Sequence, residues 1–259
     1  MRVIADDGAV LALRIDGPND APALVLLHSI GCDSSMWDAE ANALKQQFRV
    51  IRLDTRGHGS SSVPSGDYTL ERLGRDVLVA LDMVGVAQAH VCGLSMGGMV
   101  AQWLAVHTPA RVDRLILADT AARIGTPESW QARRETVRAQ GMAAIAEMAI
   151  GRFFSEEFRA RAPDTVARFR RLLETTSPEG YAGCCAALRD ADFSCELARI
   201  VAPTLVICGR LDISTPPSQA EALVQDIPEA ELLLLDAAHL SNIERPVAFL
   251  EGMHRHLGS

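Results

Sequence analysis

Short apolar runs recur along the chain at intervals that leave room for one helix between them. Ala23 to Leu27, Phe48 to Leu53, Ala89 to Cys92, Arg114 to Ala118, Thr204 to Cys208 and Glu231 to Leu235 read as strands, preceded by an N-terminal pair near Arg2 to Ile4 and Ala9 to Ile15. Helical spacing fills the intervals near Met36 to Gln46, Leu70 to Met83, Gly98 to Ala105 and Ser218 to Asp226, and again at the end from Pro246 to His256. Such alternation predicts an α/β protein with a mostly parallel eight-stranded sheet and helices on both faces. Between Ala121 and Ile200 the pattern changes to helices alone: Pro127 to Ala139, Met142 to Phe154, Glu156 to Glu174 with a break at Pro163, and Pro178 to Ala187. This segment is expected to be an all-helical cap inserted after strand six. Residues 1–120 and 201–259 then form the core domain, and residues 121–200 the lid over it.

At 259 residues the chain is long enough for one well-filled α/β core, and no Pro/Gly/Ser-rich linker divides it. No apolar segment approaches the roughly 20 residues that span a bilayer, and Met1 to Asp7 lacks the basic start and apolar run of a leader, so no membrane is expected as a partner and the location is expected to be cytoplasmic. The formal charge of −8 argues against nucleic acid as a partner. That charge is uneven. From Ala121 to Asp192 there are eleven arginines against ten acidic residues, so the excess negative charge lies outside the cap. The six cysteines show no zinc spacing and read as buried thiols rather than a disulfide framework. Oligomeric state is not legible from these features.

Chemistry enters at Gly93-Leu94-Ser95-Met96-Gly97, which follows an apolar strand and opens a helix. A G-x-S-x-G turn in that setting holds a serine hydroxyl clear of the sheet, with glycines where a neighbouring Cβ would clash. A serine is a poor nucleophile until a neutral imidazole takes its proton, and the imidazole needs a carboxylate on its other nitrogen. Asp212 follows the strand Thr204 to Cys208, and His239 follows Glu231 to Leu235. The chain order Ser95, Asp212, His239 is that of the α/β-hydrolase fold, and these three are the expected catalytic residues. Asp119, at the end of strand Arg114 to Ala118, is a rival acid, and Asp212 is preferred.

In that fold the oxyanion hole is formed by two backbone N–H groups, here assigned to Met96, after the serine, and to Ile30 in the turn His28-Ser29-Ile30-Gly31. Ser29 replaces the glycine usual in this turn. Arg56, His58 and His28 are expected to brace loops. No metal or cofactor is expected.

The likeness extends beyond the fold. The chain resembles the bacterial 3-oxoadipate enol-lactonases over nearly its whole length. Carrying it are Arg52 to Ser60 (RLDTRGHGS), Cys92 to Gly98, Ala118 to Gly125, Trp130 with Arg133, Glu179 to Asp190, Asp212 to Pro217 and Ala238 to Pro246. The resemblance implies hydrolysis of a five-membered enol-lactone bearing an acetate side chain, yielding 3-oxoadipate in aromatic degradation. It implies no cofactor, and the partner is a small-molecule lactone carrying a carboxylate. Some members run on into a decarboxylase domain, and the expectation here is the stand-alone form. Trp130 and Arg133 are the expected substrate-binding residues of the cap, since a guanidinium pairs well with a carboxylate in a partly dry pocket. Another serine hydrolase on the same scaffold, a carboxylesterase or a cofactor-free perhydrolase, is the alternative, and a non-catalytic binding protein is the third.

Overall fold

The computed structural model describes residues 1–258. Eight strands form one sheet: β1 (Arg2–Ile4), β2 (Val10–Asp16), β3 (Ala23–Leu27), β4 (Arg49–Asp54), β5 (Ala89–Leu94), β6 (Val112–Ala118), β7 (Thr204–Gly209) and β8 (Glu231–Leu235). Their spatial order is β1-β2-β4-β3-β5-β6-β7-β8, with β2 antiparallel to both neighbours and every pairing from β4 onward parallel. Because parallel strands are joined by helices that cover both faces, the central strands are buried throughout and read as unbroken apolar runs. In β3, Ala23, Val25 and Leu27 face one core and Leu24 and Leu26 the other, the period-two alternation of a strand. Burying each of these leucines stabilises the fold by roughly 2 kcal/mol.

Helices α1 (Asp38–Leu44) and α11 (Pro246–Leu257) pack on one face. On the other lie α2 (Leu70–Met83), α3 (Met96–His107) and α9 (Pro217–Asp226). Leu70, Leu73, Val77, Ala80 and Leu81 form the buried stripe of α2, and the Thr69 side chain caps its start by accepting the Arg72 N–H at 3.1 Å. Between β6 and β7 the chain is helical: α4 (Pro127–Gln140), α5 (Ala143–Phe153), α6 (Glu156–Arg161), α7 (Pro163–Thr175) and α8 (Pro178–Asp190). Proline opens α4, α7 and α8, where a missing N–H costs nothing.

Three local differences from the sequence expectation have simple causes. The expected helix from Met36 begins as a 3-10 turn at Ser34–Trp37, capped by the Asp33 carboxylate, and continues as α1 only to Leu44. Strand β6 starts at Val112, two residues early, since a polar Asp113 is tolerated at its exposed end. A single-turn helix, α10 (Ser241–Glu244), follows His239 and is too short for any periodicity to reveal. Among the described residues no helix is long and apolar enough to cross a membrane. Five cysteines are buried and Cys195 is exposed, all of them free thiols.

Candidate active site

Ser95 lies between β5 and α3 with φ 57° and ψ −116°, a strained conformation for a residue with a Cβ. Its close neighbours show why the turn needs glycine. A Cβ on Gly93 would stand 2.1 Å from the Gly97 carbonyl oxygen, and one on Gly97 would stand 2.2 Å from that of Leu27. The Ser95 N–H donates to Ala118 O at 2.9 Å, and the Thr120 hydroxyl donates to Ser95 O at 2.8 Å, so the strained residue is held from β6 and the loop after it.

The structure brings Ser95, Asp212 and His239 together from three separate loops. His239 Nε2 lies 2.9 Å from Ser95 Oγ, and its Nδ1 lies 2.7 Å from Asp212 Oδ2. Asp212 is fixed in turn by the Thr215 hydroxyl at 2.7 Å and by the N–H groups of Ser214 and Thr215 at 2.7 and 3.1 Å. Burial disfavours the Asp212 carboxylate, but the His239 charge and the hydrogen bonds outweigh it and hold its pKa below the usual range. Burial likewise works against a charged His239, yet Asp212 prevails and the imidazole titrates above its ordinary value.

Asp119 is close by but differently employed. Its carboxylate accepts the Gly209 N–H at 2.8 Å and the Ser241 hydroxyl at 2.5 Å, with no hydrogen bond to His239. Burial, reinforced by the Asp212 charge, pushes its pKa up to about 7. It joins the end of β7 to the loop after β8, on which His239 sits. A second carboxylate ties that loop to the cap. Glu244 accepts the Ser155 N–H and hydroxyl, each at 2.7 Å, and the Ala238 N–H at 3.1 Å. Leu240 N–H donates to Phe153 O at 3.0 Å, and the Phe153 ring stacks near the imidazole at a centroid distance of 6.3 Å.

The two N–H groups assigned to an oxyanion hole come from separate segments, the start of α3 and the turn after β3. Met96 is the first residue of α3, so its N–H has no acceptor within the helix. In the turn after β3, the Gly31 N–H donates to His58 Nε2 and the Cys32 N–H to Ser29 O, while that of Ile30 has no acceptor among the described residues. His28 accepts the Thr55 N–H on Nε2, and Arg56 pairs with buried Asp76 and with Asp7, so both serve the loops as expected.

A small cavity of about 60 Å³ opens above Ser95 and His239. Trp130 and Arg133 both line it. The Trp130 N–H is already given to Ile124 O at 2.5 Å, so the indole is a wall, and its ring supports the Arg133 guanidinium 4.5 Å above its centre. Arg133 also lies 3.7 Å from Met148 Sδ and has no carboxylate partner among the described residues, whereas Arg134 pairs with Asp67. Arg152 of α5 lines the same cavity, also without a carboxylate partner among the described residues, and burial and the like charge of Arg133 lower its pKa. Sequence reasoning missed Arg152, Phe153, Tyr181 and Ser214, which also border the cavity. Helical periodicity gives no sign of which cap positions turn toward the serine. Among the described residues no cluster of three or more His, Cys, Asp or Glu is placed to hold a metal ion.

A strand-turn-helix serine hydrogen-bonded to a histidine and acid from the ends of later parallel strands defines a class, and the comparisons agree: residues 22–246 match the family described as alpha/beta hydrolase fold, to which this chain belongs. Within it the chain groups with the 3-oxoadipate enol-lactonases. It is 43% identical to 3-oxoadipate enol-lactonase 2 of Acinetobacter baylyi, over 90% of this chain and 87% of that protein. To 3-oxoadipate enol-lactonase 1 of the same organism it is 41% identical, over 94% of this chain and 91% of that one. The crystal structure of the enol-lactonase from Burkholderia xenovorans LB400 superposes with a TM-score of 0.98 at 42% identity, covering 100% of both chains.

Proposed function

We propose that the protein hydrolyses 3-oxoadipate enol-lactone to 3-oxoadipate through an acyl-enzyme on Ser95, with His239 as base and Asp212 orienting it. One observation carries this reading. The hydrogen-bonded chain from Asp212 through His239 to Ser95 Oγ leads into a cavity whose cap wall bears Arg133 and Arg152, two cations without a carboxylate partner among the described residues. Similarity to the enol-lactonases supplies the substrate that fits such a wall, a lactone with one free carboxylate.

In this mechanism Ser95 Oγ attacks the lactone carbonyl while its proton passes to His239 Nε2, and the carbonyl π pair moves to oxygen, facing the N–H groups of Ile30 and Met96. Collapse re-forms the carbonyl and breaks the bond to the ring oxygen, which leaves as an enolate, a better leaving group than an alkoxide. The imidazolium protonates the enolate, which tautomerises to the ketone. Water, deprotonated by the same imidazole, then attacks the acyl carbonyl, and collapse of this second tetrahedral intermediate breaks the bond to Ser95 Oγ, which recovers its proton from the imidazolium as the second carboxylate is freed.

The helical segment 121–200 acts as a lid that shields this chemistry and selects the substrate, Arg133 being the principal partner of its carboxylate and Arg152 adding positive field. A cytoplasmic setting is consistent with six free thiols. The decisive experiment is the spectrophotometric loss of enol-lactone with purified protein, beside a neutral 4-nitrophenyl ester. Rapid lactone loss sensitive to Ser95→Ala supports the reading; turnover of the neutral ester alone would replace it with a general carboxylesterase.

A further inference from the structure

Ser29 is fully buried and borders the cavity beside Ser95, Ile30 and His239. Its backbone is held on both sides: its N–H donates to Met36 Sδ at 3.4 Å, and its carbonyl oxygen accepts from His28 Nδ1 at 2.8 Å and from the Cys32 N–H at 3.1 Å. Its hydroxyl, by contrast, has no hydrogen-bond partner among the described residues. A buried hydroxyl left unpaired is destabilising, a penalty that alanine or glycine at this position would avoid. The hydroxyl is therefore left unsatisfied in a residue at the cavity wall, and the next residue in the chain supplies one of the two proposed oxyanion N–H groups.

We propose that the Ser29 hydroxyl is a third donor to the oxyanion formed on Ser95, an inference that rests on the serine mechanism above. A tetrahedral oxyanion carries three lone pairs, of which the N–H groups of Ile30 and Met96 take two, and Ser29 Oγ–H takes the third. No proton changes hands. The hydrogen bond is stronger to the oxyanion than to the neutral carbonyl, so it accelerates the chemical step without tightening substrate binding.

The test uses Ser29→Ala, Ser29→Gly and the hydroxyl-retaining Ser29→Thr in the full chain, each checked by thermal melting. Ser95→Ala is run in parallel. Both truncations should lower kcat on the order of 100-fold for the enol-lactone and for 4-nitrophenyl acetate alike, with KM nearly unchanged and with Ser29→Thr recovering part of the loss. Trifluoroacetone, which forms a tetrahedral adduct with an active serine, should lose affinity by a similar factor. Wild-type kcat in folded Ser29→Ala and Ser29→Gly, or undiminished trifluoroacetone affinity, would overturn the proposal even with Ser95→Ala inactive. Retained activity in Ser95→Ala would instead overturn the serine mechanism itself.

Discussion

A hydroxyl 2.9 Å from an imidazole becomes nucleophilic only while that imidazole is neutral, so the charges around His239 set the working pH. The buried ring is opposed by desolvation and by the Arg152 charge, but Asp212 and Asp119 prevail, and its pKa lies above the usual 6.5. Catalytic efficiency on the lactone should therefore rise with pH through a midpoint above 6.5 and then level off; a flat profile from about pH 5 to about pH 8, with chemistry limiting, would exclude His239 as the base. Ser95→Ala and His239→Ala should each cost about a millionfold in kcat, and Asp212→Asn about ten thousandfold. Asp119→Asn should be milder than Asp212→Asn, because Asp119 bonds to Gly209 and Ser241 rather than to the ring. Steady-state rates of the two variants decide which acid serves the histidine. For the substrate carboxylate, Arg133→Met should lower lactone efficiency roughly thirtyfold to several thousandfold while sparing a neutral activated ester. Arg134→Met, which breaks an ion pair with Asp67 outside the cavity, should have far less effect on the lactone.

At the scale of elements, α1 carries a buried liability that the sequence pattern hides. Glu40 has no exposed surface, its carboxylate lies beside the Asn242 side chain without a well-formed hydrogen bond, and burial outweighs that contact and pushes its pKa up to about 7. A carboxyl whose folded pKa is raised holds its proton more tightly when folded, so stability falls as pH climbs from about 4.5 to about 7 and the penalty stays in full above that. Glu40→Gln should raise the melting temperature at pH near 8, by an amount corresponding to about 3 kcal/mol, and change it little near pH 4. Elements of this kind mark where sequence reading stops. The parallel strands were legible because both their faces are buried, which makes β3 and β7 uninterrupted apolar runs between polar loops. Ser95, Asp212 and His239 were legible because each lies just past an apolar strand run, His239 after the half-exposed edge strand β8, so that the parallel strands bring them to one end of the sheet. Glu40 looks like an ordinary helix acid, since its burial depends on packing with α11 and the 3-10 turn, which no local pattern encodes. The inward positions of α5 and α8, among them Arg152 and Tyr181, escaped for the same reason.

In the whole molecule, the cap meets the core through backbone as well as side chains. A Cβ on Gly180 of α8 would lie 2.3 Å from the Gly57 carbonyl oxygen, and Gly57, with φ 82°, occupies a region that favours glycine. Gly180→Ala should push α8 off the core and shift Tyr181 at the cavity wall, lowering stability by about 1 to 3 kcal/mol and raising KM for the lactone. Thermal melting and steady-state kinetics on one sample measure both, and wild-type values would show that the contact yields. Another link is Glu244, which grips Ser155 at the start of α6 with the same carboxylate that holds the loop of His239. It makes the lid a poor module. A foreign lid grafted between β6 and β7 without a serine at that joint would strand a buried carboxylate beside the histidine, spoiling the catalyst along with the pocket. Changing the substrate range of this scaffold is therefore expected to succeed through single changes on the inner faces of α4, α5 and α8 that leave the seam between lid and histidine loop intact.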